Sequence, residues 1–242
     1  MAAPQFPYSL SIFFPAYNDA ESLPMLVSEA FRVAAWHVVD FEVIVVNDGS
    51  QDNTAAVLAD LRLQYGDRLR VVEHARNRGY GGALRSGFAA ARNDYVFYTD
   101  GDAQYDVAEL PLLLEAAGNG AAWVNGYKRQ RSDPWSRILV GAVYRECARL
   151  LFRLRLRDVD CDFRLIRRAD VERLSLRSAS GTICVELAWG LERLGLRAVE
   201  RAVTHRARMH GRSQFFRIAP LWKTLRELSR LVLLRLTGAP LR

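Results

Sequence analysis

The 242-residue chain has few cysteines and no long apolar run. Cys147, Cys161 and Cys184 are scattered and lack the spacing of metal ligands, which argues against a disulfide framework or a zinc site and favours a reducing compartment. No stretch approaches the roughly 18 to 20 apolar residues of a membrane-spanning helix. The first residues have no basic region and are interrupted by prolines, so we expect no signal peptide.

Linkers, repeats and low-complexity tracts are also absent from the sequence. Half of the residues are hydrophobic, which is enough for a sizeable core, and we expect one large domain. The net charge is +7, supplied mostly by arginine. A basic balance favours a polyanionic partner: nucleic acid, an anionic membrane surface or a phosphate-bearing substrate.

Apolar strands alternate with helix-length segments as far as Tyr127. This alternation is typical of βαβ units in a parallel sheet, and the nearly continuous apolar run "FEVIVVND" indicates a strand covered on both faces. After Tyr127 the rhythm breaks into a basic loop, a helix predicted over 134–153 and a short strand within "DVDCDFRLIRR". We therefore expect an α/β fold with an open, mostly parallel sheet and helices on both faces.

Polar residues and glycines follow the ends of successive predicted strands. These ends read "PAYND", "NDGS", "RNRGYGG", "DGDAQ" and "GYK". Each alone is also an ordinary turn or helix cap. Because ligands of open α/β sheets bind beyond the carboxyl ends of the strands, the joint placement predicts a ligand site there.

Asp100 and Asp102 end the fourth strand with a single glycine between them. Like charges this close repel, and a buried carboxylate without a partner is costly. A hard divalent cation would compensate, and Gln104 adds an amide oxygen two residues later. We therefore predict Mg²⁺ or Mn²⁺ at Asp100, Asp102 and Gln104, where the ion would also stabilise a leaving diphosphate. An ordinary acidic turn is the alternative.

The glycine-rich stretch "RNRGYGGALRSG" leaves two interpretations open. It matches neither a P-loop nor the dinucleotide fingerprint. Glycines at a helix N-terminus can approach a nucleotide. The alternative is a tightly packed turn from strand to helix.

Five segments occur in a familiar order: "FPAYND", "VNDGS", "NRGYGGALRSGF", "DGDAQYD" and "DCDFRLIRR". Together they resemble family 2 glycosyltransferases of the GT-A (nucleotide-diphospho-sugar transferase) fold, in the branch of dolichol-phosphate mannose and polyprenyl-phosphate glucose synthases. The resemblance implies a catalytic domain over residues 1–217, followed by a C-terminal helix within 218–242. It implies an inverting, metal-dependent transfer of a sugar from a GDP-mannose or UDP-glucose type donor to a polyprenyl or dolichyl phosphate, as in cell envelope glycan synthesis.

The resemblance also implies which residues bind the donor, and it repeats the metal set Asp100, Asp102 and Gln104. Asp19 stands where the family more often has glutamate, and Asp48 matches an aspartate that binds the base or ribose. Asp48 suits uracil or guanine equally. The implied nucleotide-binding residues are Pro15, Tyr17, Asp19, Asp48, Arg78, Gly79 and Asp100.

Further roles implied by the resemblance concern the acceptor and the diphosphate. Gly126-Tyr127-Lys128 replaces the family's Gly-Ser-Arg, which makes Lys128 and Arg137 candidates for the acceptor phosphate, although lysine lacks the bidentate fork of arginine. The implied catalytic residues are Asp102, Asp162, Arg164, Lys128 and Arg137. A late loop with Arg208, Arg212 and Ser213 is expected near the diphosphate.

The C-terminal segment "LWKTLRELSRLVLLRL" is amphipathic, with Lys223, Arg226, Glu227 and Arg230 on one helical face. It is expected either to pack on its own domain or a dimer mate, or to lie on an anionic membrane. Many members of the family that this sequence resembles have transmembrane helices after this segment. We therefore expect a cytoplasmic protein at the inner face of the membrane, in peripheral contact or with a separate membrane partner.

Two other functions compete with transfer to a lipid phosphate. A hydroxyl acceptor on a glycan or small molecule would need a catalytic base, and the sequence does not identify one. A basic nucleic-acid-binding module would fit the net charge, but the arginines are dispersed and no stacking or reading motif is evident. We therefore expect a nucleotide sugar and a lipid phosphate, and no nucleic acid, as partners.

Overall fold

The computed structural model describes residues 6–129, 146–207 and 218–238. Its strands are β1 (Leu10–Ala16), β2 (Phe41–Asn47), β3 (Leu69–Glu73), β4 (Tyr95–Thr99), β5 (Trp123–Lys128), β6 (Phe163–Arg167) and β7 (Val199–Val203). Its α-helices are α1 (Leu23–His37), α2 (Thr54–Tyr65), α3 (Tyr80–Ala90), α4 (Leu110–Gly118), α5 (146–152), α6 (Arg168–Glu172), α7 (Thr182–Arg193) and α8 (Ile218–Thr237). Two short 3₁₀ turns, Gly66–Arg68 and Val107–Glu109, lead into β3 and α4.

The seven strands form one sheet in the order β3-β2-β1-β4-β6-β5-β7. Strands β1 to β4 are parallel to one another, and β5 pairs in parallel with β7. Strand β6 runs antiparallel between β4 and β5. The prediction of an open, mostly parallel sheet is confirmed, and the carboxyl ends of β1, β2, β3 and β4 meet at one edge.

Side chains alternate between two apolar layers, one on each face of the sheet. Along β1, Ile12 and Phe14 join the layer that includes α1 and α4, whereas Phe13 joins the layer that includes α3 and α7. All seven residues of β1 are buried. This explains the continuous apolar runs in the sequence, because helices cover both faces of the central strands.

Helix α8 packs on its own domain through one face and exposes leucines on the other. Leu231 is fully buried in the layer with α7, while Leu225, Leu233 and Leu236 are exposed. Packing on the domain is one of the two placements expected for this helix. Among the described helices, none is long and apolar enough to span a bilayer.

Arg164 of β6 lies in the core, although the sequence predicted a catalytic role for it. Its Nε donates to Asn125 Oδ1 at 2.7 Å and its Nη1 to the Tyr98 hydroxyl at 3.1 Å. Further N–H groups donate to the backbone carbonyls of Val159 and Cys184. The side chain has no exposed surface and joins β4, β5 and β6. Its contacts in this structure are therefore structural, and the catalytic role implied for Arg164 stays a prediction.

The environment of Arg164 keeps its guanidinium charged. Burial acts to lower the pKa of Arg164, but the neighbouring Tyr98, Cys184 and Asp162 raise the pKa by more, so the net shift is upward. Its removal would leave buried acceptors on two strands, a loop and α7 without donors, which is costly in a core.

We expect Arg164→Met to lower the free energy of unfolding by about 3–5 kcal/mol, because it leaves these buried acceptors without hydrogen-bond donors. Urea denaturation followed by circular dichroism would measure the change. Arg167→Met is the matched control, since Arg167 is on the same strand with an exposed side chain, and its effect should stay within about 0.5 kcal/mol. Equal losses in both variants would contradict the structural role.

Candidate active site

Gly101 joins the ends of β1 and β4. Its N–H donates to the Pro15 carbonyl at 3.1 Å, and its own carbonyl accepts from the Ser22 hydroxyl at 2.6 Å. A Cβ atom at this position would lie 2.7 Å from the Pro15 oxygen, so any side chain would clash with backbone. The glycine between the two aspartates is therefore required by close packing, and it fixes Asp100 and Asp102 at the sheet edge.

Asp100 lies in an environment that disfavours its charge. Burial, followed by the nearby Asp162 and Asp102 carboxylates, raises the pKa of Asp100 well above its usual range. The Tyr80 hydroxyl, which donates to Asp100 Oδ1 at 2.8 Å, and Lys128 act in the opposite direction but are outweighed. The charged form of Asp100 is thus disfavoured in this structure.

Gln104 connects the acidic turn to the segment that follows β7. Its backbone N–H donates to Asp102 Oδ1 at 3.1 Å, and its side-chain Nε2 donates to the Arg206 carbonyl at 3.0 Å. The Arg206 N–H returns a bond of 2.7 Å to the Gln104 carbonyl. Ala103, between the acids and Gln104, adopts a left-handed backbone with φ 58°. The turn is therefore held on both sides by backbone hydrogen bonds.

The donor set of this turn fits a shared cation better than a complete protein cage. In the parts of the chain that are described, no three or more His, Cys, Asp or Glu side chains converge as a metal site. Asp100 and Asp102 nevertheless offer carboxylate oxygens, which suit Mg²⁺ or Mn²⁺, and their mutual repulsion raises the pKa of Asp100. An ion bound here would need further ligands from a diphosphate or water.

Lys128, the last residue of β5, lies close to carboxylates of the loop that precedes β6. Its Nζ donates to the Asp160 carbonyl at 3.3 Å and lies 5.8 Å from the centre of the Tyr105 ring. Burial acts to lower the pKa of Lys128, but Asp158 and neighbouring acids raise it by more, so the ammonium stays charged. The lysine is thus a cation beside the acidic turn.

Asp160 and Asp162 differ in their surroundings. Burial and the neighbouring Asp158 raise the pKa of Asp160 to about 7, against the opposing effect of Lys128. Asp162 Oδ1 accepts from the Cys184 thiol at 3.1 Å, and its backbone N–H donates to the Tyr105 hydroxyl. Asp160 can therefore gain or lose a proton near neutral pH.

The loops that follow β1 and β2 are joined to each other. Asn18 donates its N–H to the Ser50 hydroxyl at 3.0 Å and accepts from the Gln51 N–H at 2.7 Å. Asp19 Oδ2 accepts from the Tyr17 N–H at 2.9 Å. Pro15, Tyr17 and Asp19 thus lie at the strand end where the sequence predicted a nucleotide contact.

Asp48 is buried and its carboxylate is used within the protein. It accepts from the N–H groups of Arg78 at 2.8 Å and Gly79 at 3.0 Å, and it lies 2.6 Å from His74 Nδ1. His74 Nε2 in turn contacts the Ser86 hydroxyl at 2.8 Å. In this structure Asp48 holds the loop before α3, and its contact with a base or ribose stays a prediction.

The N-terminus of α3 is packed against another loop. Gly79 has φ 84°, and a Cβ on it would lie 2.4 Å from the Ala179 carbonyl oxygen, which accepts from the Gly81 N–H at 3.2 Å. The Gly79 N–H is used by Asp48. Of the two interpretations of the glycine-rich stretch, the structure favours the tightly packed turn, and Gly79 has a packing role here.

The structure brings Asp162 and Lys128, from two other segments of the sequence, within electrostatic range of the acidic turn with Asp100 and Asp102. Arg164 is buried in the core near Asp162, and Arg137, Arg208, Arg212 and Ser213 lie outside the described residues. Sequence reasoning missed Tyr80 as the donor to Asp100. Tyr80 lies in "RNRGYGG", which was predicted at the same sheet edge as Asp100, and this position could have indicated the contact.

Comparison with known families supports this architecture. The model described as Glycosyl transferase family 2 matches residues 11–175. Among curated proteins, an undecaprenyl-phosphate 4-deoxy-4-formamido-L-arabinose transferase of Aeromonas hydrophila is 30% identical over 206 residues, covering 85% of this chain and 62% of the relative. The corresponding Pseudomonas fluorescens transferase is 32% identical over 213 residues, covering 86% and 60%. The chain therefore spans less than two thirds of the length of these relatives.

A solved structure shares the fold at lower identity. Glucosyl-3-phosphoglycerate synthase from Mycobacterium tuberculosis, in complex with Mn²⁺, UDP and glucosyl-3-phosphoglycerate, superposes with a TM-score of 0.69 at 22% identity. The match covers 96% of this chain and 81% of that one. At such identity the likeness concerns the fold alone. On the strength of the family match and this shared architecture, the chain belongs to glycosyl transferase family 2 and has the GT-A fold.

Proposed function

We propose that the chain transfers a sugar from a nucleotide diphosphate sugar to a polyprenyl phosphate, assisted by Mg²⁺ or Mn²⁺. The observation that carries the proposal is the acidic turn at the end of β4, where burial, Asp162 and Asp102 raise the pKa of Asp100. Relatives named for transfer to undecaprenyl phosphate support the acceptor class. In this proposal residues 1–217 carry the chemistry, and α8 packs against them.

The donor would bind where the ends of β1 and β4 meet. Asp100 and Asp102 would hold the metal ion, and Gln104 offers an amide oxygen beside them. When bound, such an ion supplies positive charge that stabilises the departing nucleoside diphosphate. Pro15, Tyr17 and the loop tied to Asp48 would enclose the nucleotide. Because backbone hydrogen bonds already fix these segments, little ordering is needed when the donor binds.

The acceptor phosphate would approach from the side of Lys128. A phosphate oxygen of the lipid forms the new bond to the sugar C1, and the bond from C1 to the diphosphate oxygen breaks on the opposite face. The electron pair leaves with the nucleoside diphosphate. The acceptor is already anionic at neutral pH, so no residue has to remove a proton, and the main tasks are positioning and charge stabilisation.

A lipid acceptor requires the site to work at a membrane surface, which we propose is the cytoplasmic face. The outer face of α8 carries Leu225, Leu233 and Leu236 together with Arg226, all exposed. Leucines that enter the interface, combined with arginine near lipid phosphates, are typical of peripheral membrane contact.

A second candidate is transfer to a hydroxyl acceptor, as in the product named for the Mycobacterium tuberculosis structure. The observation that favours it is Asp160, since a carboxylate whose pKa is raised to about 7 is suited to general base catalysis near neutral pH. The two acceptor classes differ in whether such a base is needed.

We expect Asp102→Asn to weaken Mn²⁺-dependent binding of UDP-glucose or GDP-mannose by at least about 10-fold, because one carboxylate ligand is lost. Isothermal titration calorimetry with and without Mn²⁺ would measure this. Asp60→Asn makes the same chemical change at an exposed position of α2 and should bind like the wild type. Metal-independent binding of equal affinity in all three proteins would disprove the metal assignment.

Asp160→Asn distinguishes the two acceptor classes. With undecaprenyl phosphate in detergent, we expect the variant to retain activity within about 10-fold, because the acceptor needs no general base. Loss of a base typically costs about 10²–10⁴-fold. Labelled-sugar transfer, with products separated by organic extraction, would measure the rates. A loss of that size, together with a sugar product that stays in the aqueous phase, would favour a hydroxyl acceptor.

Asp160 should also affect the pH dependence of stability. Its pKa is about 7 in the folded protein and about 4 in an unfolded chain, so between these values the folded state holds the extra proton. Stability of the ligand-free protein should therefore fall as the pH rises from about 4 to 7. Urea denaturation at several pH values should show a shallower fall in Asp160→Asn than in Asp60→Asn. An unchanged slope would contradict the raised pKa.

A further inference from the structure

Residues 177–180, the loop before α7, donate four successive backbone N–H groups to two buried glutamates. Glu186 of α7 accepts from the first two at 3.1 and 2.7 Å. Glu227 of α8 accepts from the last two at 3.0 and 3.1 Å, and also from the Ser180 hydroxyl at 2.5 Å. Three of these five hydrogen bonds to the loop therefore come from the C-terminal helix.

The same loop presses on the N-terminus of α3. The Ala179 carbonyl accepts from the Gly81 N–H, and a Cβ on Gly79 or Gly81 would lie 2.4 or 2.3 Å from a carbonyl oxygen of residue 179 or 178. Such contacts leave no room for the loop and the helix end to move independently. A shift of the loop must therefore move the backbone of residues 79–81.

Tyr80 lies between these two glycines, and its hydroxyl donates to Asp100 at 2.8 Å. The contacts thus run without interruption from Glu227, through the loop and the first turn of α3, to a carboxylate of the acidic turn. None of these steps depends on an exposed side chain of α8.

We propose that Glu227 is a positioning residue for the acidic turn: by holding residues 179–180 it places the Tyr80 hydroxyl against Asp100, and so sets the affinity for a divalent cation bound with a nucleoside diphosphate. This inference rests on the proposed function. Outer partners that orient metal ligands typically change metal affinity by about 10–100-fold when they are removed. Glu227 acts one step further away, so its removal should cost no more than the loss of the Tyr80 hydroxyl.

A simpler role for Glu227 would be to anchor α8, and a double-mutant cycle separates the two. The probe is Mn²⁺, titrated by electron paramagnetic resonance in the presence of saturating UDP or GDP, whichever the wild type binds. Four proteins are compared: wild type, Tyr80→Phe, Glu227→Gln and the double variant. Glutamine keeps the shape of Glu227 but sets an NH₂ group against a backbone N–H.

We expect Mn²⁺ affinity to fall about 10-fold in Tyr80→Phe and by about 3- to 10-fold in Glu227→Gln. The double variant should match Tyr80→Phe, because Glu227 acts through the same hydroxyl. Losses that multiply in the double variant, or wild-type Mn²⁺ affinity in Glu227→Gln, would overturn the inference. Ser180→Ala removes one Glu227 contact with less risk to folding and should give a smaller loss in the same direction.

Leu231→Ala is the matched control for helix anchoring. It removes apolar packing of the same helix without touching residues 179–180, and should lower the melting temperature while leaving Mn²⁺ affinity within about 2-fold of wild type. A loss of Mn²⁺ affinity equal to that of Glu227→Gln would overturn the assignment to the carboxylate. If the wild type itself binds no Mn²⁺ with either nucleotide, the proposed function fails, and the inference fails with it.

Discussion

Repulsion among carboxylates at the end of β4 is the constraint on which the site depends. Asp100 is brought beside Asp102 by Gly101 and beside Asp162 by the antiparallel strand β6. The Tyr80 hydroxyl and Lys128 act to lower the pKa of Asp100, but burial and the two neighbouring acids outweigh them. A site with such an imbalance is suited to a countercharge that arrives with the substrate, because a metal ion and a diphosphate neutralise each other as well as the acids.

The surrounding structure is held together by backbone hydrogen bonds more than by ion pairs. Asp48 binds the loop before α3, Glu186 and Glu227 bind the loop before α7, and Gly101 is clamped by Pro15 and Ser22. Backbone N–H groups supply most of the hydrogen bonds to these three carboxylates, while His74 also lies beside Asp48 and Arg230 also donates to Glu186. These hydrogen bonds hold the loops beside the acidic turn in place.

Local patterns in the sequence predicted β1 to β4, their helices and the acidic turn, because each depends on residues close in the chain. The position of β6 could not be predicted from local sequence patterns. Its antiparallel pairing between β4 and β5 depends on contacts between residues that are far apart in the chain. The burial of Arg164 could not be foreseen for that reason. From the sequence "DCDFRL" alone, this arginine is interpreted as a residue that binds substrate. Only the structure shows its hydrogen bonds to Tyr98 and Asn125 on the neighbouring strands. Tyr80 was missed because its contact with Asp100 joins α3 to β4.

The cationic side chains that would bind an acceptor phosphate lie close to the same negatively charged carboxylates. Lys128 is already enclosed by Asp158, Asp160 and Asp162, whose charges raise its pKa. Further positive charge is therefore needed for a phosphate to bind. The Arg129 N–H donates to the Val203 carbonyl, and Arg206 pairs with Gln104, so the segments after β5 and β7 both leave from the acidic edge. In the proposed function this charge would come from Arg137, Arg208 and Arg212, which lie outside the described residues.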